Sequence, residues 1–583
     1  MQEHVQKEEE VIFKSFFVPL TNFKIICWII IIGLAVYFNS LFNGFVGDDN
    51  AQIQTNPAIH SITNIFLLFR GSTQYLAQTQ QFIGLYYKPL LSISYTIIYS
   101  LFGANAFFFH LFQVFLHIAN AILVYLIFKK FFSKTTSFVL SLLFLLHPIN
   151  NEAVVYIANL QDVLFTFFGL LAFKLLAEKK SFILISVMLL LSLLSKESGI
   201  IFSPILTIYY FLFSNKSKRE GLNFILSLLA IIGVYLFIRI VIGNIGFQTD
   251  YLYMAEHATF IQRLYTMPSL LTYYLRMVFF PVTIAFGWYW VVTTPTFSTF
   301  GIPLIIAGLF GIVLLLPLYF LRSQKKQWKE YLFFLFILVI SLSISLQLVP
   351  LDFTAADRWF YMPLFGLLGL IGICYESFLK QVLQQKNMRS GLIVILVLLF
   401  SFFVYKDITR NTVWVNNLTL CGHDSLTNPQ SYLMQYCYAN ELYNIKEYRP
   451  AKVHVLKAVE LYPKYFLAWE TLGKVDYALG DNLDAEKAFG KTVALNSFGY
   501  GSDELALVLV YEKKPREAKT ITQKYLKIAP DNAQLWYAQA LADYKLDDKK
   551  DAITVARNAY ILEPTQLTYK VYYRLNKHLS ITF

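Results

Sequence analysis

The stretch FKIICWIIIIGLAVYFNSLFNGFVGDDN, residues 23–50, decides what kind of fold this chain adopts. Phe23–Phe42 is an almost unbroken apolar run, and a helix that crosses a bilayer needs about 20 such residues. The run is too long for the core of a signal peptide and has no small-residue cleavage pattern, so it reads as a spanning signal anchor. Gly47-Asp48-Asp49-Asn50 follows at once. Ionisable groups at a membrane are expensive, so a carboxylate pair at the mouth of a span is a functional candidate.

The rest of the chain fits that beginning. Of its 583 residues, 56% are hydrophobic, 17% aromatic and 15% charged. The mean hydropathy is +0.51. These values exclude a disordered chain, a secreted disulfide mini-protein and an ordinary cytosolic enzyme, and they point to a polytopic membrane protein. The formal charge of +12 does not imply nucleic acid, because Lys and Arg collect in cytoplasmic loops of membrane proteins. The charge is also uneven. Only 47 of the first 428 residues are charged, against 39 of the last 155. A membrane domain (1–410) therefore precedes a junction (411–428) and a soluble domain (429–583).

Eleven apolar stretches read as crossings: 23–42, 107–128, 135–148, 162–178, 181–195, 198–213, 221–243, 300–321, 331–349, 359–379 and 390–406. Stretches 89–102 and 264–290 read as interfacial or re-entrant elements on the outer side. With the N-terminus in the cytoplasm, 19 of the 28 cations in residues 1–428 fall inside, among them Lys7, Lys14 and Lys216. An odd number of crossings puts the soluble domain outside.

That domain repeats itself. Pro429, Pro463, Ser497, Pro530 and Pro564 recur every 33 or 34 residues. Trp469, Leu472, Gly473, Ala485 and Phe489 sit at tetratricopeptide (TPR) offsets, and Trp536, Ala540, Ala552, Ala556 and Ala559 repeat the register. Small residues let two helices approach, large ones fill the gaps, and Pro ends the second helix. Four repeats are expected from about Tyr432 to Pro564, with a capping helix after them. Such a solenoid offers a groove to a peptide or partner helix. Cys27 and Cys374 lie in apolar runs as packing residues. Cys421 and Cys437 either pair outside the cytoplasm or form a free buried pair.

In this topology six polar clusters meet at the outer face: Asp48-Asp49, Lys88-Pro89, His147-Pro148 with Glu152, Gln161-Asp162, Lys196-Glu197 and Asp357-Arg358. Each has a plain alternative as a helix end or a snorkelling anchor. Together they suit glycosyl transfer. A carboxylate takes the proton of an acceptor hydroxyl, and cations hold a departing phosphate while the sugar passes through an oxocarbenium-like state. The carboxylates have no spacing diagnostic of a metal site.

The ordered set Asp48-Asp49, Asn56-Pro57, Lys88-Pro89-Leu90, His110 to His117 with Asn120, His147-Pro148, Glu152-Ala153-Val154, Lys196-Glu197 and Arg358-Trp359-Phe360-Tyr361-Met362-Pro363 resembles the TMTC-type transmembrane and TPR-repeat O-mannosyltransferases and their prokaryotic relatives. The resemblance implies an all-α, polytopic GT-C glycosyltransferase with a C-terminal TPR α-solenoid. It implies a polyprenyl- or dolichyl-phosphate sugar as donor, no certain cofactor (a divalent metal being possible), a protein or peptide acceptor through the TPR groove, and no nucleic acid. The membrane would be a prokaryotic plasma membrane, or that of the endoplasmic reticulum in a eukaryote. By carry-over, Asp48 or Asp49 is the base or binds the acceptor. Lys88, His147, Lys196 and Arg358 are candidates for the donor phosphate, with Glu152, Asp162, Glu197 and Asp357 supporting them. The competing readings are the same fold with a lipid or cell-envelope glycan acceptor, and a membrane scaffold or transporter whose TPR domain recruits partners. A transporter would show internal repeats and broken mid-membrane helices, and no convincing repeat is found in residues 1–410.

Overall fold

The computed structural model describes residues 20–76, 81–83, 86–214, 217–246, 258–348, 351–380, 382, 385–496 and 499–581. Lys7, Lys14, Lys216 and Ser497 lie outside them. The chain divides into two compact units, residues 1–420 and 421–583.

The first unit is a bundle of apolar helices. Its opening helix, Asn22–Tyr37, is capped by Thr21, whose hydroxyl accepts from the Lys24 N–H at 3.2 Å, and a 3-10 turn extends it to Phe42. Among the described residues, eight helices are long and apolar enough to cross a membrane, and the bent pair Lys134–Leu146 and Pro148–Val155 makes a ninth if it is one span. Phe182–Ser195 and Glu197–Phe213, two of the stretches expected to cross, are shorter apolar helices. Pro89–Phe102 is a short apolar helix, and Phe260–Phe279 is not among the candidate spans. The chain is thus a multi-pass, helical membrane protein.

The bundle has two kinds of surface. Helices Arg219–Ile242, Phe297–Leu321 and Asn387–Val415 expose most of their apolar side chains, as a lipid-facing helix does. The others pack inward around an aromatic core in which Phe128 stacks on Phe365 at 5.0 Å and Phe334 meets both Phe128 and Phe131 edge-on. Glycines set the closest approaches. A Cβ at Gly369 would fall 2.1 Å from the Phe334 ring, and one at Gly169 would fall 1.9 Å from Phe202. One feature was not expected from the sequence. Gln74–Leu76 and Gln81–Ile83 pair as two antiparallel strands in the loop after the first span, too short to carry a strand-length periodicity.

The second unit is a stack of helical hairpins: Tyr432–Asn444 with Tyr448–Leu461, Phe466–Leu479 with Asn482–Leu495, Ser502–Tyr511 with Pro515–Tyr525, and Ala533–Lys545 with Lys549–Leu562, closed by Gln566–Asn576. The expected small residues make the contacts. Ala451, Ala485 and Ala552 are fully buried, and a Cβ on Gly473 would meet the Phe489 ring at 2.7 Å. The tryptophans do more than fill gaps. Trp469 and Trp536 are half-buried, and each indole N–H donates to the carbonyl of Pro463 or Pro530, tying a repeat to the end of the preceding one. Cys421 and Cys437 form a disulfide, which decides between the two states the sequence left open.

Candidate active site

The acidic turn after the first span gives its two carboxylates different work. Asp49 is fully buried. Its Oδ2 accepts from the Val46 N–H at 3.0 Å and its Oδ1 from the Ala158 N–H at 2.7 Å, so both oxygens hold backbone. Burial pushes its pKa well above the usual carboxylate range, and the two N–H donors oppose the shift. Asp48 is exposed. Its own N–H donates to the Tyr156 hydroxyl at 2.8 Å. This turn needs the glycine before it: Gly47 has φ +51°, and a Cβ there would fall 2.8 Å from the Tyr156 oxygen. The Asp48 side chain reaches solvent from within dense protein. Desolvation raises its pKa first and Asp352 adds to the rise, while Arg358, Lys88 and the Tyr156 hydroxyl draw it back down.

Lys88 stands at the entry to the helix Pro89–Phe102 and is 8% exposed. It forms no ion pair among the described residues, and its ammonium lies over the Tyr86 ring at 4.1 Å. Burial lowers its pKa to about 8. Glu197, Asp162 and Asp352 oppose that shift, and Lys196 adds to it.

The other cations are already paired. Lys196 Nζ meets Asp162 Oδ1 at 2.6 Å, and Asp162 Oδ2 has no hydrogen-bond partner among the described residues. Glu197 Oε1 accepts from the Tyr87 N–H at 2.9 Å and from Arg239 at 3.0 Å, which fixes the residue before Lys88. The Arg358 guanidinium pairs with Glu152, and its backbone N–H donates to the other carboxylate oxygen at 3.3 Å. Phe353 and Trp359 flank the guanidinium, and Asn159 supports Glu152. Asp357 is buried and accepts from the Tyr273 hydroxyl.

The structure therefore joins Asp48, Lys88, Glu152, Asp162, Lys196, Glu197 and Arg358 into one electrostatically coupled cluster. Asp352 belongs to it as well. The sequence marks it only as an outer acid, because nothing beside it in the chain resembles a motif. Tyr156 and Arg239 were missed for the same reason, since each acts through a partner more than 40 residues away. His147 needs a correction. Its Nε2 bonds to the Val278 carbonyl at 2.9 Å and its Nδ1 accepts from the Ile149 N–H at 3.2 Å, so neither nitrogen is left for a phosphate. It closes the elbow between Lys134–Leu146 and Glu152. Among the described residues, no three His, Cys, Asp or Glu side chains are grouped as a metal ion would require.

The family model "Dolichyl-phosphate-mannose-protein mannosyltransferase" matches residues 88–242, which run from Lys88 through Arg239. Human "Protein O-mannosyl-transferase TMTC1" is 27% identical over 496 residues, covering 75% of this chain and 55% of that protein. The Caenorhabditis elegans "Protein O-mannosyl-transferase F38B6.6" is 23% identical over 449 residues, covering 75% and 63%. Mouse "Protein O-mannosyl-transferase TMTC2" is 32% identical over 147 residues, 24% of this chain and 17% of that protein. The chain spans less than two thirds of the length of each of these relatives. Among solved structures, the TPR protein YrrB overlays with a TM-score of 0.24 at 16% identity, covering 27% of this chain and 82% of its own. The Cut9–Hcn1 assembly overlays with a TM-score of 0.27 at 13% identity, covering 81% and 88%. The ordered motifs and these relatives make the chain similar to the TMTC-type transmembrane and TPR-repeat O-mannosyltransferases.

Proposed function

We propose that the chain is a GT-C glycosyltransferase that moves a mannose-like sugar from a polyprenyl- or dolichyl-phosphate to a Ser or Thr hydroxyl of a protein on the extracytoplasmic face. The observation that carries this reading is an accessible Asp48 on which two cations, Lys88 and Arg358, act electrostatically. In the transfer, the acceptor oxygen attacks the anomeric carbon and its proton passes to the Asp48 carboxylate. The bond from that carbon to the donor phosphate breaks, and the phosphate leaves with the electron pair. Lys88, whose ammonium has no carboxylate partner among the described residues, meets the growing phosphate charge. Arg358, locked by Glu152, adds a second positive charge. Lys196, held by Asp162, keeps Lys88 company in the same field.

The repeat domain supports a protein acceptor. The first helices of the first two repeats and of the last two touch directly, and Lys474 meets Glu504 across the middle pair at 3.4 Å, as in the inner layer of a superhelix. They carry Tyr436, Glu470, Lys474, Tyr477, Glu504 and Tyr511, which neighbour one another from repeat to repeat. The cation-rich loops support a cytoplasmic N-terminus, and the Cys421–Cys437 disulfide supports an extracytoplasmic repeat domain.

The test is transfer from a polyprenyl-phosphate mannose by the full chain in detergent. Asp48→Asn is expected to lower the rate by about 10²–10⁴-fold, the usual worth of a general base, with folding intact. Full activity in that variant overturns the mechanism.

A further inference from the structure

The loop that carries Asp48 is held by a segment almost 370 residues later in the chain. The Gly44 N–H donates to the Val415 carbonyl at 3.0 Å, and the Gly47 N–H donates to Asn417 Oδ1 at 2.7 Å. Trp414, 1% exposed, stacks on Tyr156 with ring centroids 5.4 Å apart and planes 19° apart. Tyr156 is the residue whose hydroxyl accepts from the Asp48 N–H. Residues 414–417 thus act on the turn both directly and through Tyr156. Gly44 suits the arrangement, since a Cβ there would sit 3.1 Å from the Val415 oxygen.

The segment is itself anchored by a polar network at the end of the last span. The Trp414 indole N–H donates to Asn151 Oδ1 at 3.2 Å. Asn151 Nδ2 donates to Asn411 Oδ1 at 2.8 Å and to the fully buried Asp407 at 3.2 Å. Asn411 Nδ2 reaches the first span at the Val36 carbonyl and Asn39 Oδ1, and Asn43 Nδ2 returns to the Asn411 carbonyl at 2.9 Å. The span Asn387–Val415 has 29 residues. At about 1.5 Å per residue it outruns a hydrocarbon core of about 30 Å, so its last turns reach the interface. Apolar contact would join these helices at less cost than a buried carboxylate and three amides. What the network adds is direction, because hydrogen bonds fix a backbone where apolar packing lets it slide.

We propose that Trp414–Asn417 is a positioning strap that sets the location of the Asp48 carboxylate, with Asn417 and Tyr156 as its two contacts on the turn. Asn417 opens the helix Asn417–Thr427, which carries the chain into the repeats, so the strap is also the covalent route from the acceptor-engaging half to the base. As a role in catalysis, the strap rests on the function proposed above. As a tether of the turn, it does not.

Two readouts on the full chain in detergent separate these levels. In hydrogen exchange, Asn417→Ala is expected to speed the amides of residues 44–49 about tenfold while the helix Ala106–Phe128 keeps its protection. Asn417→Asp keeps the acceptor oxygen and is expected to restore slow exchange. In transfer from a polyprenyl-phosphate mannose, Asn417→Ala is expected to lower kcat by about 10- to 100-fold with donor KM within about twofold. Asn417→Asp is expected to regain kcat with its acid limb moved to higher pH, because a second carboxylate faces the turn. Unchanged exchange in Asn417→Ala overturns the strap whatever the transfer assay shows. Faster exchange with unchanged kcat overturns its positioning role. Changed exchange in a protein whose wild type transfers no sugar leaves the tether standing and removes the proposed function.

Discussion

Asp48 and Asp49 are neighbours in the chain with opposite fates, and their hydrogen bonds explain why. Asp49 accepts two backbone N–H groups from a fully buried position. Asp49→Asn leaves one oxygen to do the work of two and is expected to destabilise the protein by about 1–3 kcal/mol, read as a lower Tm in detergent. Its transfer rate per folded molecule should fall far less than that of Asp48→Asn. The pH profile follows from the two shifted groups. The base must be ionised, so activity rises with pH through the Asp48 pKa, which lies above the ordinary carboxylate value. The phosphate site needs the Lys88 ammonium, so activity falls as pH rises through about 8. Lys88→Arg stays protonated and is expected to move the alkaline limb upward. An alkaline limb that stays at the same pH in that variant removes Lys88 from the phosphate site.

The repeat helices show how a repeated sequence can specify its own order. Lys452 pairs with Asp476 at 2.8 Å and Asp481 at 3.1 Å in the following repeat. Two repeats later, Lys519 meets Asp543 and Asp548 in the same way. Between them the polarity reverses, with Glu486 on Lys514 at 2.7 Å. The middle junction is opposite in polarity to those on either side, which disfavours a shift of the stack by one repeat. Lys519→Met leaves the buried Asp543 carboxylate without a partner and is expected to destabilise that junction by about 1–3 kcal/mol. Faster amide exchange over residues 515–562 would register it. In the membrane unit, steric limits play the corresponding part. Gly369→Ala sets a methyl group into the Phe334 ring and is expected to cost about 1–3 kcal/mol or more by overpacking.

For the protein as a whole, sidedness is open to two independent tests. Thiol labelling of freshly solubilised, unfolded protein is expected to modify Cys27 and Cys374 alone, with Cys421 and Cys437 reacting only after reduction. Labelling of all four without reduction removes the disulfide and the support it lends to an outer repeat domain. A reporter fused after the repeats should signal outside, and a cytoplasmic signal overturns the odd number of crossings.

Much of this molecule was readable from the chain. Apolar runs of about 20 residues force helices, because hydrocarbon offers backbone groups no other partner. The 34-residue recurrence of small and large residues forces hairpins that stack. Both are local patterns, so their meaning survives without coordinates. The polar motifs were legible as a group for the same reason, each being a short polar break beside an apolar run. What individual polar groups do was decided only in three dimensions. His147 looks like a ligand until both its nitrogens are found on backbone, and Asp49 looks like a base until its two oxygens are counted. Asp352, Tyr156 and Asn417 look like nothing until folding sets them around Asp48. A hydrogen bond depends on distances of about 3 Å between residues that lie hundreds of positions apart, and no period or composition in the chain records that.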